Sequence, residues 1–100
     1  MYRTVATIRV KPGTETQQLA LQERWWNERG STIKGAISGT LYRTDNDPNV
    51  YVMSVVFESK EDYVANANDP AQDAWFQEMA QCFDGEPVWT DGEIVYYKHT

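Results

Sequence analysis

A tyrosine and an asparagine three residues apart, Tyr63 and Asn66, are the side chains of this sequence best suited to chemistry on a small ligand. A phenol can orient or deprotonate a phenolic substrate, and an asparagine amide can hydrogen-bond a ligand. Each residue also has a structural interpretation. A tyrosine ring can pack in the core while its hydroxyl hydrogen-bonds to water or to a backbone acceptor, and asparagine is common in turns. The pair indicates a site only if the fold brings both side chains to one cavity.

Other reactive groups are scarce. Cys82 is the single cysteine, which excludes an internal disulfide and a cysteine-based zinc site. It has no neighbouring His or Lys in the sequence and is predicted to be a buried, inert thiol. The single histidine, His99, lies near the end of the sequence and is predicted to be solvated. The sequence has no glycine-rich phosphate loop, catalytic-triad order or metal-ligand cluster, so we expect no cofactor and no metal.

Three further side chains bear on a ligand pocket. Arg43 is a candidate for binding an anionic ligand group, although such residues more commonly pair with local acids, here Asp45 or Asp47. The adjacent Trp25 and Trp26 cannot both enter one pocket, because neighbouring helical residues point about 100° apart. We expect Trp26 to pack on the sheet and line the pocket, and Trp25 to cover a pocket rim or a dimer edge.

The charge is acidic and unevenly spread. The net charge is −6, and residues 51–100 carry ten of the fifteen Asp and Glu residues but only two of the nine Lys and Arg residues. An acidic chain without a basic patch repels phosphates, so nucleic acid and anionic membranes are not expected partners. The first residues lack the apolar segment of a secretory signal, and no apolar run approaches the roughly 20 residues of a membrane span. We therefore expect a cytoplasmic protein.

Hydrophobic patterning divides the 100 residues into seven elements. Residues 2–10 alternate with a period of two, as in a strand, and residues 50–57 are almost continuously apolar. The predicted elements are strands at 2–10, 33–43, 50–57 and 92–98 and helices at 14–29, at 60 to about 66, and from 70 onward. The order β-α-β-β-α-α-β predicts a single α+β domain, residues 1–100, with the ferredoxin-like split βαβ plan: a four-stranded antiparallel sheet with helices on one face.

The two later helices have clear start signals. Ser59 stands three residues before Asp62, which is a capping-box pattern. Asp69 followed by Pro70 is typical of an N-cap and a first helical position.

The first helix has a less regular pattern. Apolar residues such as Leu19 and Leu21 form a broad arc, which Gln18, Gln22 and Arg29 interrupt. The interruption predicts a one-sided surface helix.

Both faces of the predicted sheet contain apolar residues. Along residues 50–57 and 94–97, apolar side chains alternate onto both sides, and helices can cover only one of them. Soluble monomers rarely expose a large contiguous apolar face. We therefore expect a homodimer through the sheet faces, because the two residues that follow the predicted last strand are too few to cover the second face.

The sequence resembles the antibiotic biosynthesis monooxygenase family of dimeric α/β barrels. The matching stretches are Ile-Arg-Val-Lys-Pro-Gly at 8–13, Leu-Tyr-Arg at 41–43, Phe-Glu-Ser-Lys-Glu-Asp-Tyr at 57–63 and Asn-Asp-Pro at 68–70. The resemblance implies a homodimer with a pocket between sheet and helices in each subunit. Several members of the family oxidise quinol-like polycyclic aromatics with O₂ and without a metal or flavin, and others open haem.

Site residues can be carried over from the resemblance position by position. The quinol-oxidising branch has Asn and Trp on the third strand and Tyr on the following helix. Tyr63 matches that Tyr, whereas Met53 and Phe57 occupy the other two positions. Many other members carry a His one turn after the Tyr, and Asn66 stands there in this sequence.

The haem-degrading branch matches less well. It is similar in fold but uses an Asn on the first strand and a His on a later helix. Ala6 occupies the first of these positions, and the later helix has no histidine. The resemblance therefore does not imply haem binding here.

The resemblance implies a cofactor-independent monooxygenase-like protein that acts on or binds a small aromatic, quinol-like molecule. Tyr63 would position the substrate oxygen and Asn66 would support it, after ionisation of the substrate to a carbanion or phenolate. The other expected pocket residues are Met53, Phe57, Trp26 and Arg43. Two alternatives stay open: a non-catalytic dimeric module for ligand binding or assembly, and an isomerase-type or decarboxylase-type activity on a small cyclic substrate.

Overall fold

A computed structural model of the protein describes residues 1–99, which form a four-stranded antiparallel sheet and three α-helices. The strands are β1 (Tyr2–Arg9), β2 (Ala36–Arg43), β3 (Val50–Phe57) and β4 (Val88–Glu93). The helices are α1 (Glu15–Trp25), which continues into a π-helical turn (Trp26–Gly30), α2 (Lys60–Ala67) and α3 (Pro70–Ala80). The strand order is β2-β3-β1-β4, which confirms the predicted ferredoxin-like fold.

The register of the two central strands determines the face that the helices cover. In β1, Thr4, Ala6 and Ile8 are buried and alternate with half-buried or exposed residues. They pair across the sheet with Val55, Met53 and Tyr51 of β3, respectively. Because cross-strand partners share a face, these residues form the floor of the layer between sheet and helices.

The predicted start signals cap α2 and α3. The Ser59 hydroxyl accepts a hydrogen bond from the Asp62 backbone N–H at 3.1 Å. Asp69 accepts one from the Ala71 N–H at 2.9 Å, with Pro70 in the first turn. Each cap satisfies a backbone donor that a helix start leaves free, so the ends of both helices are held in place.

The last strand is not where the sequence pattern placed it. Residues 92–98 were expected to form it, but β4 runs from Val88 to Glu93 and pairs with β1 from Thr7↔Val88 to Tyr2↔Glu93. The partner strand β1 begins at Tyr2, so the ladder stops there, apart from one bond from the Ile94 N–H to the Met1 carbonyl. Residues 94–99 lie beyond the sheet, where the side chains of Val95 and Tyr96 are 94% and 79% exposed.

This correction changes one premise of the expected dimer. The apolar residues 94–97 belong to an extended segment outside the sheet, not to two sheet faces. The outer face, which the helices do not cover, is mixed: Val5 and Val52 share it with Arg3, Thr7 and Ser54.

The helices close one core over the sheet. The largest buried side chains include Ile8 and Val10 from the first part of the chain and Met79, Cys82 and Phe83 from the end of α3 and the turn after it. The burial of Cys82 agrees with the sequence prediction. In the part of the chain described, no helix has both the length and the apolar character needed to cross a bilayer.

Candidate functional site

A cavity of about 260 Å³ lies between the sheet and the helices. Its floor is formed by Thr4 of β1, by Met53, Val55 and Phe57 of β3, and by Trp89 of β4. Its walls come from all three helices, so the site exists only once helices and sheet have packed together.

Aromatic rings make up much of the wall. Trp25 packs against Trp75 with ring centroids 6.0 Å apart, and Phe76 packs against Trp89 at 6.1 Å. Rings held in tilted contacts present flat apolar faces and edges to the cavity. Such a lining suits a flat apolar ligand that a few polar groups can orient.

Four of the residues expected at a site line this cavity together. They are Tyr63 and Asn66 from α2, and Met53 and Phe57 from β3. The helix cap at Ser59 explains the convergence, because it starts α2 immediately after β3 and places its inner face above that strand.

The other two expected pocket residues lie elsewhere. Trp26 packs on the sheet over Gly39 and lines a neighbouring groove, while its neighbour Trp25 lines the cavity. Arg43 is exposed at the end of β2. Asp47, one of its expected partners, forms an ion pair with Arg9 at 2.9 Å.

The Tyr63 hydroxyl donates a hydrogen bond to Oδ2 of Asp91 at 3.0 Å. The other oxygen of the same carboxylate accepts a hydrogen bond from the Thr4 hydroxyl at 2.6 Å. Burial raises the pKa of Tyr63, and the Asp91 carboxylate raises it further. At neutral pH the phenol is therefore protonated, and it acts as a hydrogen-bond donor and acceptor and not as a phenolate base.

Asp91 had no role in the sequence interpretation, because the last strand was expected to begin just after it. In the structure Asp91 lies in β4 directly opposite Thr4 of β1. Knowledge of that register would have placed its carboxylate beside the site.

Arg29 connects two amides of the cavity wall. Its Nη2 donates to Oδ1 of Asn66 at 2.8 Å, and its Nε donates to Oε1 of Gln72 at 3.2 Å. The same Gln72 oxygen accepts a hydrogen bond from the Trp25 indole N–H at 2.9 Å. The guanidinium also pairs with Asp69 at 3.5 Å. The sequence pattern indicates Arg29 only as an interruption of an apolar arc, and Gln72 carries no distinguishing local pattern.

The first helix also packs differently from the expectation. Gln18 is fully buried, whereas Leu19, expected on the apolar arc, is 58% exposed. Gln22 lines the cavity, and its amide nitrogen lies 3.1 Å from the Met53 sulfur. The amide nitrogen of Gln18 lies 3.3 Å from the Met79 sulfur. The polar interruptions of the arc therefore face inward, toward the cavity side of α1.

Metal-binding groups are not assembled in the part of the chain described. Among residues 1–99, no three His, Cys, Asp or Glu side chains are grouped so that they could hold a metal ion. His99 is exposed, and Ala6 is fully buried in the sheet floor.

Comparisons with known proteins agree with this architecture. The family model for antibiotic biosynthesis monooxygenases matches residues 1–78, from β1 to near the end of α3. A comparison with curated protein sequences gave no match.

Solved structures share the fold at low sequence identity. A mutant of SnoaB, a cofactor-independent oxygenase from Streptomyces nogalater, is 12% identical with a TM-score of 0.81, over 96% of this chain and 94% of that chain. Rv0793 from Mycobacterium tuberculosis is 12% identical with a TM-score of 0.78, over 98% of each chain. A conserved protein from Methanosarcina mazei Go1 is 19% identical with a TM-score of 0.79, over 91% of this chain and 89% of that chain.

Proposed function

Because the chain belongs to the antibiotic biosynthesis monooxygenase family, we propose that it is a cofactor-independent monooxygenase-like protein that binds a small aromatic, quinol-like molecule between its sheet and helices. The observation that carries the proposal is that the aromatic-lined cavity brings Tyr63 and Asn66 together above Met53 and Phe57. An apolar cavity with a few convergent polar groups is the usual form of a small-molecule site.

The size of the cavity restricts the ligand. Its volume of about 260 Å³ lies just below the roughly 300–1,000 Å³ range of small-molecule sites. A molecule of one or two fused rings fits that space better than a long polycyclic one.

The proposed reaction replaces the two hydrogens of a ring CH₂ group with one oxygen atom from O₂. The substrate loses a proton to become a phenolate or carbanion, which passes electrons to O₂. One oxygen atom forms a new carbonyl in place of a CH₂ group, and the other leaves as water with the two hydrogens. Tyr63 is protonated at neutral pH and donates its one O–H to Asp91, so its oxygen accepts a hydrogen bond from the substrate hydroxyl and positions that group. Asp73 lies on the cavity wall, and its carboxylate is the proposed acceptor of the proton that the substrate loses.

Tyr63→Phe tests the site, because the change removes only the hydroxyl. The probe is 1-naphthol, a two-ring phenol, with binding followed by calorimetry. We expect Tyr63→Phe to weaken binding by about 0.5–1.5 kcal/mol, the net value of a neutral hydrogen bond. Tyr42→Phe is the matched control, because Tyr42 is exposed on β2 outside the cavity. Unchanged affinity in Tyr63→Phe, or no binding to the unaltered protein, would show that this assignment is wrong.

A second candidate function is a non-catalytic ligand-binding module of the same fold. The favouring observation is that Met53 and Phe57, two floor residues, are apolar. They occupy the positions where the quinol-oxidising branch has Asn and Trp. Oxygen uptake with 1-naphthol, measured above uncatalysed autoxidation, separates the two functions. The keto tautomer of 1-naphthol has a ring CH₂ group, so an oxygenase accelerates uptake and forms 1,4-naphthoquinone and water, whereas a binding module does neither.

We also propose that two copies pair through the outer faces of their sheets. Tyr42, Val52, Thr7 and Val88 form a row across all four strands, and Tyr42 and Val88 are 55% and 64% exposed. A second copy would cover this row in a two-fold dimer. Sedimentation of the unaltered protein should give twice the mass of one chain. Val52→Lys should reduce the measured mass to that of a single chain. A monomer of the unaltered protein at micromolar concentration would overturn the dimer.

A further inference from the structure

One arginine holds the carbonyl oxygens of two amides on the cavity wall. Asn66 and Gln72 both line the cavity, and each accepts a hydrogen bond from Arg29 through its side-chain oxygen. The Arg29 side chain is only 16% exposed, and Arg29 is not one of the residues that line the cavity. The Trp25 indole N–H binds the Gln72 oxygen as a second donor, so this amide is held from two sides.

The orientation of each amide follows from these bonds. An Asn or Gln side chain has an oxygen that accepts and an NH₂ group that donates, on opposite sides of one carbon. Because Arg29 engages both oxygens, the NH₂ groups are left on the side away from the guanidinium. Within residues 1–99, neither NH₂ group donates a hydrogen bond to a protein atom.

We propose that the NH₂ groups of Asn66 and Gln72 form a two-point donor site for an oxygen acceptor of the ligand, and that Arg29 is the positioning residue that orients them. The proposal rests on the proposed function, since it uses the same cavity. It adds that the ligand carries a carbonyl, enolate or phenolate oxygen on the side facing α2 and α3.

The donor pair suits the reaction proposed for this cavity. Ionisation of a quinol-like substrate develops negative charge on an oxygen, and fixed donors aimed at that oxygen stabilise it. A cation at the amide oxygens also polarises the amides, which strengthens their N–H groups as donors. Arg29 can therefore support an oxyanion without contacting it.

The experiment compares two ligands that differ in one oxygen. 1-Tetralone carries a carbonyl oxygen, and tetralin has the same two rings without it. Gln72→Glu replaces the donor NH₂ by a carboxylate oxygen and keeps an acceptor for Arg29 and Trp25. We expect it to weaken 1-tetralone binding at least tenfold more than it weakens tetralin binding. Gln77→Glu makes the same charge change at an exposed position of α3 outside the cavity, and it should change neither affinity.

Nuclear magnetic resonance gives a readout that a purely structural role of Arg29 would not move. In the unaltered protein, 1-tetralone but not tetralin should shift the side-chain NH₂ resonances of Asn66 and Gln72. Arg29→Lys keeps the positive charge but loses the fork that holds two acceptors at once. It should reduce the preference for 1-tetralone over tetralin while tetralin still binds. If Arg29→Lys does not fold, the effect of Gln72→Glu on 1-tetralone and tetralin binding tests the donor site.

Two results would overturn the inference, and they are distinguishable. If 1-tetralone shifts the resonances of Tyr63 and Phe57 but not those of the two amides, the ligand occupies the cavity without the donor pair, and the proposed function stands. If neither ligand perturbs any cavity residue, both the inference and the proposed function fail.

Discussion

Tyr63 of α2 and Asp91 of the edge strand β4 are joined by a hydrogen bond of 3.0 Å from the phenol to the carboxylate. The same carboxylate accepts the Thr4 hydroxyl of β1 at 2.6 Å. The candidate site residue is therefore attached to the sheet edge through a side chain 28 positions further along the chain. This bond links α2, the helix that carries the site, to β4 at the edge of the sheet.

The first prediction concerns the strength of that bond. Tyr63→Phe and Asp91→Asn should each lower the free energy of unfolding in urea, and the double variant should lose less than their sum. We expect a coupling of about 0.5–1.5 kcal/mol, the net value of one hydrogen bond. Asp45→Asn, in the exposed turn between β2 and β3, provides the control. The effects of Asp45→Asn and Tyr63→Phe on the free energy of unfolding should add. If the effects of Asp91→Asn and Tyr63→Phe also add, the bond does not contribute to stability.

The second prediction concerns alkaline pH. Burial, and then the Asp91 carboxylate, raise the pKa of Tyr63 in the folded protein above the ordinary tyrosine value of about 10. Below that pH both the folded and the unfolded state keep the proton, so the titration of this group does not make stability change with pH. As the pH rises through 10, the unfolded chain loses the proton first, so the free energy of unfolding falls.

Tyrosinate absorbance checks this directly. The difference between the titrations of the unaltered protein and Tyr63→Phe should contain one tyrosine with a midpoint above 10. Tyr63→Phe should also flatten the loss of stability over the same pH range. A difference titration centred below 10 would contradict the prediction.

The third prediction concerns the packing of Trp26 on the sheet. A Cβ atom at Gly39 would lie 2.6 Å from Cζ2 of Trp26 and 3.2 Å from the Ser54 carbonyl oxygen. Gly39→Ala should therefore displace the indole and lower the free energy of unfolding by about 1–3 kcal/mol, as in other overpacked sites. Gly92→Ala, where a Cβ would meet nothing within 4 Å, should have little effect in the same urea experiment. Equal effects of the two substitutions would show that Trp26 is not held against Gly39.

The fourth prediction concerns Cys82. Its side chain is fully buried, and burial raises the pKa of the thiol, so little of the reactive thiolate is present at neutral pH. A colorimetric thiol reagent should leave the native protein unmodified over hours and should titrate one thiol per chain in concentrated urea. Rapid reaction of the native protein would mean that the end of α3 opens readily.

Some features of the fold were predictable because they depend on neighbours in the chain. β3 has the bounds that its apolar run indicated, and α2 and α3 begin at the caps that Ser59 and Asp69 provide. The placement of Tyr63 above β3 follows from these local signals. The displaced last strand shows the opposite case: residues 94–97 have a better apolar pattern than 88–93, yet the partner strand β1 is not there to pair with them.

The sequence by itself determined the order of elements, the helix starts and the proximity of Tyr63 and Asn66, because caps, alternation and helical spacing act over a few residues. Only the tertiary structure decided that Asp91 meets Tyr63, because that contact depends on the register of β4 against β1. It also decided that Arg29 binds Asn66 and Gln72, because the three lie on different elements whose crossing is set by the packing of the whole core. Side-chain contacts between distant segments depend on packing and register, which no local pattern in the chain contains.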